Sequence, residues 1–159
     1  MPVCPDTSDP ASESIPFYQV RVYAVPRNDW SSQALNSALQ AWLSDRTLTD
    51  RDVVVLGPNL SSVNITINLV TYAGFDPNSV KLLVVQAVQN YFIITDTSDI
   101  QIGATFYSSR LASIVQQIPG VSSIVMTVNV VGQAPSPNIT PAYNEIIQLS
   151  SLSVVLPSS

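Results

Sequence analysis

The chain has 159 residues with 46% apolar side chains and a net charge of −5, enough length and apolar content for one domain with a real core. Charged residues make up only 11%, against about a quarter in an average domain, and 52 Ser, Thr, Asn and Gln stand in their place. Lys81 is the sole lysine and no basic cluster exists, which excludes phosphate-neutralising contact with nucleic acid. No apolar run reaches the length that spans a bilayer, so no membrane partner is expected.

A lightly charged, uncharged-polar surface fits either a low-charge monomer or a subunit set against neighbours, and composition leaves both open. The start "MPVCPDTSDP" has neither a charged nor an apolar leader region, which predicts synthesis in a cytoplasm without signal-peptide export. Residues 1–16 carry four prolines and the acids Asp6, Asp9 and Glu13. They read as an extended arm, disordered or laid on a partner.

A domain over 17–132 follows. "FYQVRVYAV" alternates, with Tyr18, Val20, Val22 and Ala24 on one side, and predicts a first strand. "PRND" is a turn in which Asn28 or Asp29 caps a helix. Leu35, Ala38, Leu39, Trp42 and Leu43 form the helix's apolar stripe, which continues to about Ser44. The charged loop "SDRTLTDRD" leads to "VVVL", a short buried strand ended by Gly57-Pro58-Asn59. "SSVNITINLVTY" then sets Val63, Ile65, Ile67 and Leu69 against Asn64, Thr66 and Asn68, the clearest strand pattern in the chain.

Asp76-Pro77 is a capping side chain followed by proline in the first turn. The helix it starts, 78–92, has the stripe Val80, Leu83, Val84, Ala87, Val88 and Tyr91, widened by Leu82, Val85 and Phe92. That width predicts a central helix buried on more than one side. In "YSSRLASIVQQIPGVSSIVM", Leu111, Ile114, Val115 and Ile118 share a helix face, Pro119 stops the helix and Gly120 turns the chain. Ile124, Met126, Val128 and Val130 then alternate as a strand. Residues 133–159 comprise an extended, proline-containing connection and a closing β element, "EIIQLSSLSVVL", read as two short strands or one bent strand. The arm 1–16 and the segment 133–144 are expected to contact other chains.

Without its extra helix, the element order is that of a ferredoxin-like β-α-β-β-α-β fold, and an α+β class with an added helix and a terminal β element is expected.

Candidate chemistry is sparse. Histidine, the commonest base and metal ligand, is absent. Cys4 therefore has no histidine to activate it and reads as an incidental thiol. Asp50 and Asp52 flank Arg51 in a loop, where a solvated turn outweighs a two-carboxylate site. Asp96 and Asp99 in "TDTSD" lack the glycine and bidentate glutamate of a calcium loop and read as a capped turn. Gly57-Pro58-Asn59 lacks the spacing of a phosphate loop. Trp42 lies on the helical stripe and reads as core, whereas Trp30 at the helix start is a candidate contact anchor. No catalytic, cofactor or metal-binding residue is assigned.

"VRVYAVPRNDWSSQALNSALQAWLSDRTLTDRDVVVLGPNLSSVNITINL" resembles the carboxy-terminal part of baseplate J-like proteins, wedge components of contractile phage tails and related injection machines. "VQAVQNYF" is similar to that family's second helix, and "IGATFYSSRLASIVQQIPGVSSIVM" to its serine-started helix and Pro-Gly-Val lead into a strand. "NEIIQLSSLSVVL" is similar to its closing segment, with Ser150-Ser151 where the family commonly has glycine. The resemblance runs from about residue 20 to 156 and rests on the order and spacing of the segments. Family members are commonly longer, so the chain is either a compact version or a fragment.

The resemblance implies a structural, non-enzymatic wedge subunit. Its partners would be other baseplate wedge and hub proteins, with a second copy of itself and the sheath as further candidates. Its place would be the virion tail baseplate, assembled in the bacterial host cytoplasm. The alternative is a small ferredoxin-like enzyme or ligand-binding domain, which a deep pocket lined by Arg21, Arg46 or Arg51 and nearby asparagines would favour.

Overall fold

A computed structural model describes residues 19–26, 32–46, 52–95 and 98–157. The chain divides into two compact units, Met1–Pro58 and Asn59–Ser159.

In the first unit, β1 (Gln19–Tyr23) is followed by α1 (Ser32–Ser44) and β2 (Asp52–Leu56). The two strands pair in parallel from Gln19↔Asp52 to Tyr23↔Leu56. α1 is fastened to β2 by one side chain. The Gln40 amide donates to the Val53 carbonyl at 2.6 Å and accepts from the Val55 N–H at 2.8 Å, so it stands in for a ladder neighbour on that edge. Two strands and one helix bury little. Val55 is the only buried apolar residue described in this unit. Trp42, expected in the core, is 55% exposed, because the stripe of α1 is wider than the two-stranded ribbon beneath it.

The second unit is built on β3 (Asn59–Thr71), the longest strand. α2 (Pro77–Tyr91), β4 (Phe106–Tyr107), α3 (Ser108–Gln116), β5 (Val121–Val130), β6 (Asn138–Ile139) and β7 (Glu145–Val155) follow. β3 lies between β5, which is antiparallel to it, and β7, which is parallel. Its alternation is realised in full, with Val63, Ile65, Ile67 and Leu69 each at most 1% exposed. Val80, Val84 and Val88 of α2 and Leu111 and Val115 of α3 supply the other side of the core.

The fold is mixed α and β with three helices among the described residues, and two short strands that the sequence reading did not expect, β4 and β6, flank α3 and β5. The pairing is not that of one ferredoxin-like sheet: the described strands form sheets of two, three and two. Element order does not dictate pairing. Here both edges of β3 are paired, one of them with the closing strand β7, while its apolar face packs under the helices.

Local signals explain the joints. Asp76 caps α2, accepting from the Ser79 N–H at 3.0 Å and the Ser79 hydroxyl at 2.6 Å. These hydrogen bonds, the Ser79 hydroxyl first, hold its carboxyl below the usual range. α3 ends before Pro119, and Gly120 takes φ +96°. α2 departs from expectation: Leu82 and Leu83 are 59% and 46% exposed, so the helix is buried along one stripe and not on two sides. Ile114 of α3 is likewise exposed. Each helix lies on one face of the sheet, and only side chains near the centre of that stripe are enclosed.

The closing element is one bent strand. Val63 pairs with Leu149 and Asn64 with Ser151, so Ser150 is the extra residue of a bulge. This is the place where the resembled family commonly carries glycine. The connection before it packs on its own unit. Ser136 N–H donates to the Val128 carbonyl at 2.9 Å, β6 pairs with β4, and Ile139 is buried.

Candidate interaction surface

Of the positions singled out for chemistry, Cys4, Trp30, Asp50, Arg51 and Asp96 lie outside the described residues. Asp52 opens β2 and is exposed, accepting from the Gln19 side chain at 3.1 Å. Asp99 is engaged at both oxygens. Arg110 Nη1 lies 2.6 Å from Oδ1 and the Tyr91 hydroxyl 3.3 Å from Oδ2. Burial, and then the Asp99 carboxylate, push the Tyr91 phenol up to about 12. This cluster joins the end of α2 to α3.

Among the described residues no group of three or more His, Cys, Asp or Glu gathers as a metal site. No helix among them is long and apolar enough to cross a membrane. The pocket that would favour a ligand-binding reading asks for converging arginines. Arg46 instead lies over the Trp42 ring, 4.5 Å from its centroid, and Arg21 Nε donates to the Gln19 side chain at 3.5 Å.

What the second unit does present is a sheet face. The residues of β3 that alternate with its core positions line up with those of β5 and β7. Asn64 stands between Asn129 and Ser151, Thr66 between Thr127 and Ser153, and Asn68 between Val125 and Val155. Ser151 donates to Asn64 Oδ1 at 2.8 Å. Thr66, Asn68, Thr127, Ser151 and Ser153 are exposed, and Val125 is 64% exposed. None of these nine side chains is charged. Beyond Arg110 the sole charged residue of the chain is Glu145, so the low charge seen in the composition is concentrated on this unit.

The sequence reading missed Gln40 and Asn144. Gln40 sits inside a helical pattern and carries no signal that its amide completes a strand edge. Asn144 is the one buried polar residue of the described set, at 6% exposure, and its main-chain carbonyl accepts from the Asn59 N–H at 2.9 Å. That bond ties the start of β7 to the start of β3, a link that sequence spacing does not reveal.

No curated protein sequence matches the chain. The family described as Baseplate J-like protein C-terminal domain matches residues 63–155, which is the sheet just described together with both of its helices. Among solved structures, a chain of the cryo-EM structure of the anti-feeding prophage (AFP) baseplate, 6-fold symmetrised, is similar in fold, with a TM-score of 0.58 at 15% identity. The similarity covers 82% of this chain and 29% of that one, so the chain spans less than a third of the baseplate chain it matches. With more than half its length matched by the family, this chain belongs to the baseplate J-like proteins, in their C-terminal domain family.

Proposed function

We propose that this chain is a structural baseplate subunit of a contractile phage tail or related injection machine, acting by occupying a fixed place among other chains and not by catalysis. The observation that carries the reading is the family match over 63–155, which spans β3, α2, α3, β5 and β7. The uncharged outer face of that sheet supports it, since charged residues are depleted at the centre of protein interfaces. Histidine is absent from the whole chain, and of the described acids Asp76 is engaged in a cap, Asp52 at a strand edge, Asp99 in an ion pair and Glu145 with the Ala142 N–H.

In this reading the partners are wedge and hub proteins, with a second copy and the sheath as further candidates, and residues 1–16 are an arm that orders on a neighbour. The chain resides in the tail baseplate of the particle, after assembly in the host cytoplasm. Mass spectrometry of purified particles tests this. The chain is expected among the proteins of intact particles. Its absence there, with free monomer abundant in the lysate, overturns the proposal.

A further inference from the structure

The three-stranded sheet has two edges, and the chain treats them differently. At β5 the connection after the strand turns back along it. Ser136 N–H bonds to the Val128 carbonyl, and Pro135 and Pro137, which flank Ser136, line a cleft with Met126 and Val128. Prolines beside an edge are a standard protection, because they offer no N–H to an incoming strand.

At β7 there is no such cover. The Gly103 N–H bonds to the Glu145 carbonyl at 2.8 Å. From Ile146 onward, no described backbone group outside β3 hydrogen-bonds to this strand. Residues 146–156 contain no charge and no proline. Among the described residues the bulge at Ser150 is the only edge-protecting feature, and it leaves 151–155 in unbroken register with β3. Alternate N–H and C=O groups of this segment therefore face away from the sheet with no partner among the described residues, and a row of such groups is satisfied best by another extended backbone.

We propose that the free edge of β7 at residues 151–155 receives an extended strand from a different protein of the same particle; this rests on the baseplate reading above. The surroundings specify the strand. On the helix side it would lie beside Leu152 and Val154 and under the flank of α2. Gln89 of that flank shares a cleft with Ile146 and Gln148, and Leu82 and Val85 stand seven and four residues before Gln89, on the same flank. Leu82 is 59% exposed. On the other side the strand would continue the Ser151, Ser153 and Val155 row. It is therefore neutral and free of proline, with apolar residues alternating against small uncharged ones.

The chain's own residues 1–16 do not fit, with prolines at 2, 5, 10 and 16 and acids at 6, 9 and 13. A second copy adding its own β7 about a twofold axis would match only over 151–155, because each bulge ends the run. Held to that run by its own bulge, a second copy could not follow the edge on to the cleft of Gln89, Ile146 and Gln148, which an unbulged strand can reach.

Hydrogen exchange of the full chain, free and within purified particles, tests the edge. Amides within 151–155 that exchange rapidly in the free chain should slow by at least about a hundredfold in the particle if they enter a ladder. A photoreactive maleimide on Ser153→Cys, in a Cys4→Ser background, should then cross-link to an extended segment of another particle protein. Cross-links confined to a second copy's β7, or to residues 1–18, overturn the proposal. So does unchanged exchange at 151–155 in particles that contain the chain, whereas absence of the chain from particles overturns the baseplate reading itself. Ser153→Lys, which puts a charge on the edge, should cut incorporation about tenfold with unaltered melting. Ser153→Thr should incorporate normally.

Discussion

Gly120 lies where a side chain would strike Phe75: a β-carbon there would sit 2.7 Å from Phe75 Cδ1 and 2.8 Å from Val80 Cγ2. Val80 is a core residue at 2% exposure, and φ of +96° at Gly120 is costly for any residue with a side chain. The Gly120 carbonyl also accepts from the Tyr72 N–H at 2.9 Å, which limits backbone escape. Gly120→Ala should therefore destabilise the second unit by about 2 to 4 kcal/mol, strain and overpacking together. Chemical denaturation of the purified chain measures it, and a change below about 0.5 kcal/mol would mean the turn relaxes freely.

The one-sided burial of α2 makes a paired prediction. Val84 and Val88 are 0% exposed, so Val84→Asp or Val88→Asp places an unpaired charge in the interior at a cost of several kcal/mol, enough to unfold a marginal domain. Leu82→Asp, on the exposed flank, should leave melting within about 0.5 kcal/mol of the parent. Folded protein carrying Val84→Asp would show the stripe to be misplaced.

The acid side of the stability profile involves Asp76. Its carboxyl is held below its usual range in the folded chain by hydrogen bonds from Ser79 and Asn78. A depressed folded value means that this contribution is fully present above the unfolded carboxylate pKa, about 3.9, and is lost as pH falls through the folded value. Asp76→Ala should lower thermal stability near neutral pH, and the gap from the parent should close in strong acid. A constant gap down to the lowest pH would assign the effect to packing instead.

At the alkaline end, Tyr91 titrates at about 12 in the folded chain, against about 10 for a free phenol. The raised value means that the stabilisation is present below about pH 10 and disappears as pH rises through the folded value. Ultraviolet titration should find a tyrosine transition near pH 12 that Tyr91→Phe removes. Asp99→Asn removes the adjacent carboxylate but not the burial, so the late transition should move down only part of the way. A full return to ordinary behaviour would make charge, and not burial, the main cause.

How much of this was legible beforehand varies with the kind of interaction. β3 was readable because unbroken alternation over 63–69 admits one face only. The Asp76 cap and the Pro119-Gly120 stop were readable because each acts within four residues. Trp42 and Leu83 were misassigned for a shared reason: periodicity says which residues share a face, not how much of that face a neighbour covers. The parallel pairing of β3 with β7 was not readable either, since it joins Asn59 to Glu145 across most of the second unit. On the surface, the Ser, Thr and Asn abundance was plain in the composition, but its alignment into rows depends on register, which no local pattern states.

That alignment has a consequence for assembly. Electrostatic contacts between exposed groups weaken as added salt shortens the screening length from about 10 Å at 0.1 M to about 3 Å at 1 M. Contacts made by Asn, Thr, Ser and Val have no such dependence. On the outer sheet face every aligned residue is of that kind, and Glu145 is the sole charge in 111–159. Incorporation of the chain into particles should therefore change less than about twofold between 0.1 and 1 M sodium chloride. Sedimentation of particles assembled or incubated at each salt, with the chain quantified in the pellet, measures this. Loss of the chain from otherwise intact particles as salt rises would trace its attachment to the charged first unit, where Arg21, Arg46 and Asp52 lie, and not to the uncharged sheet.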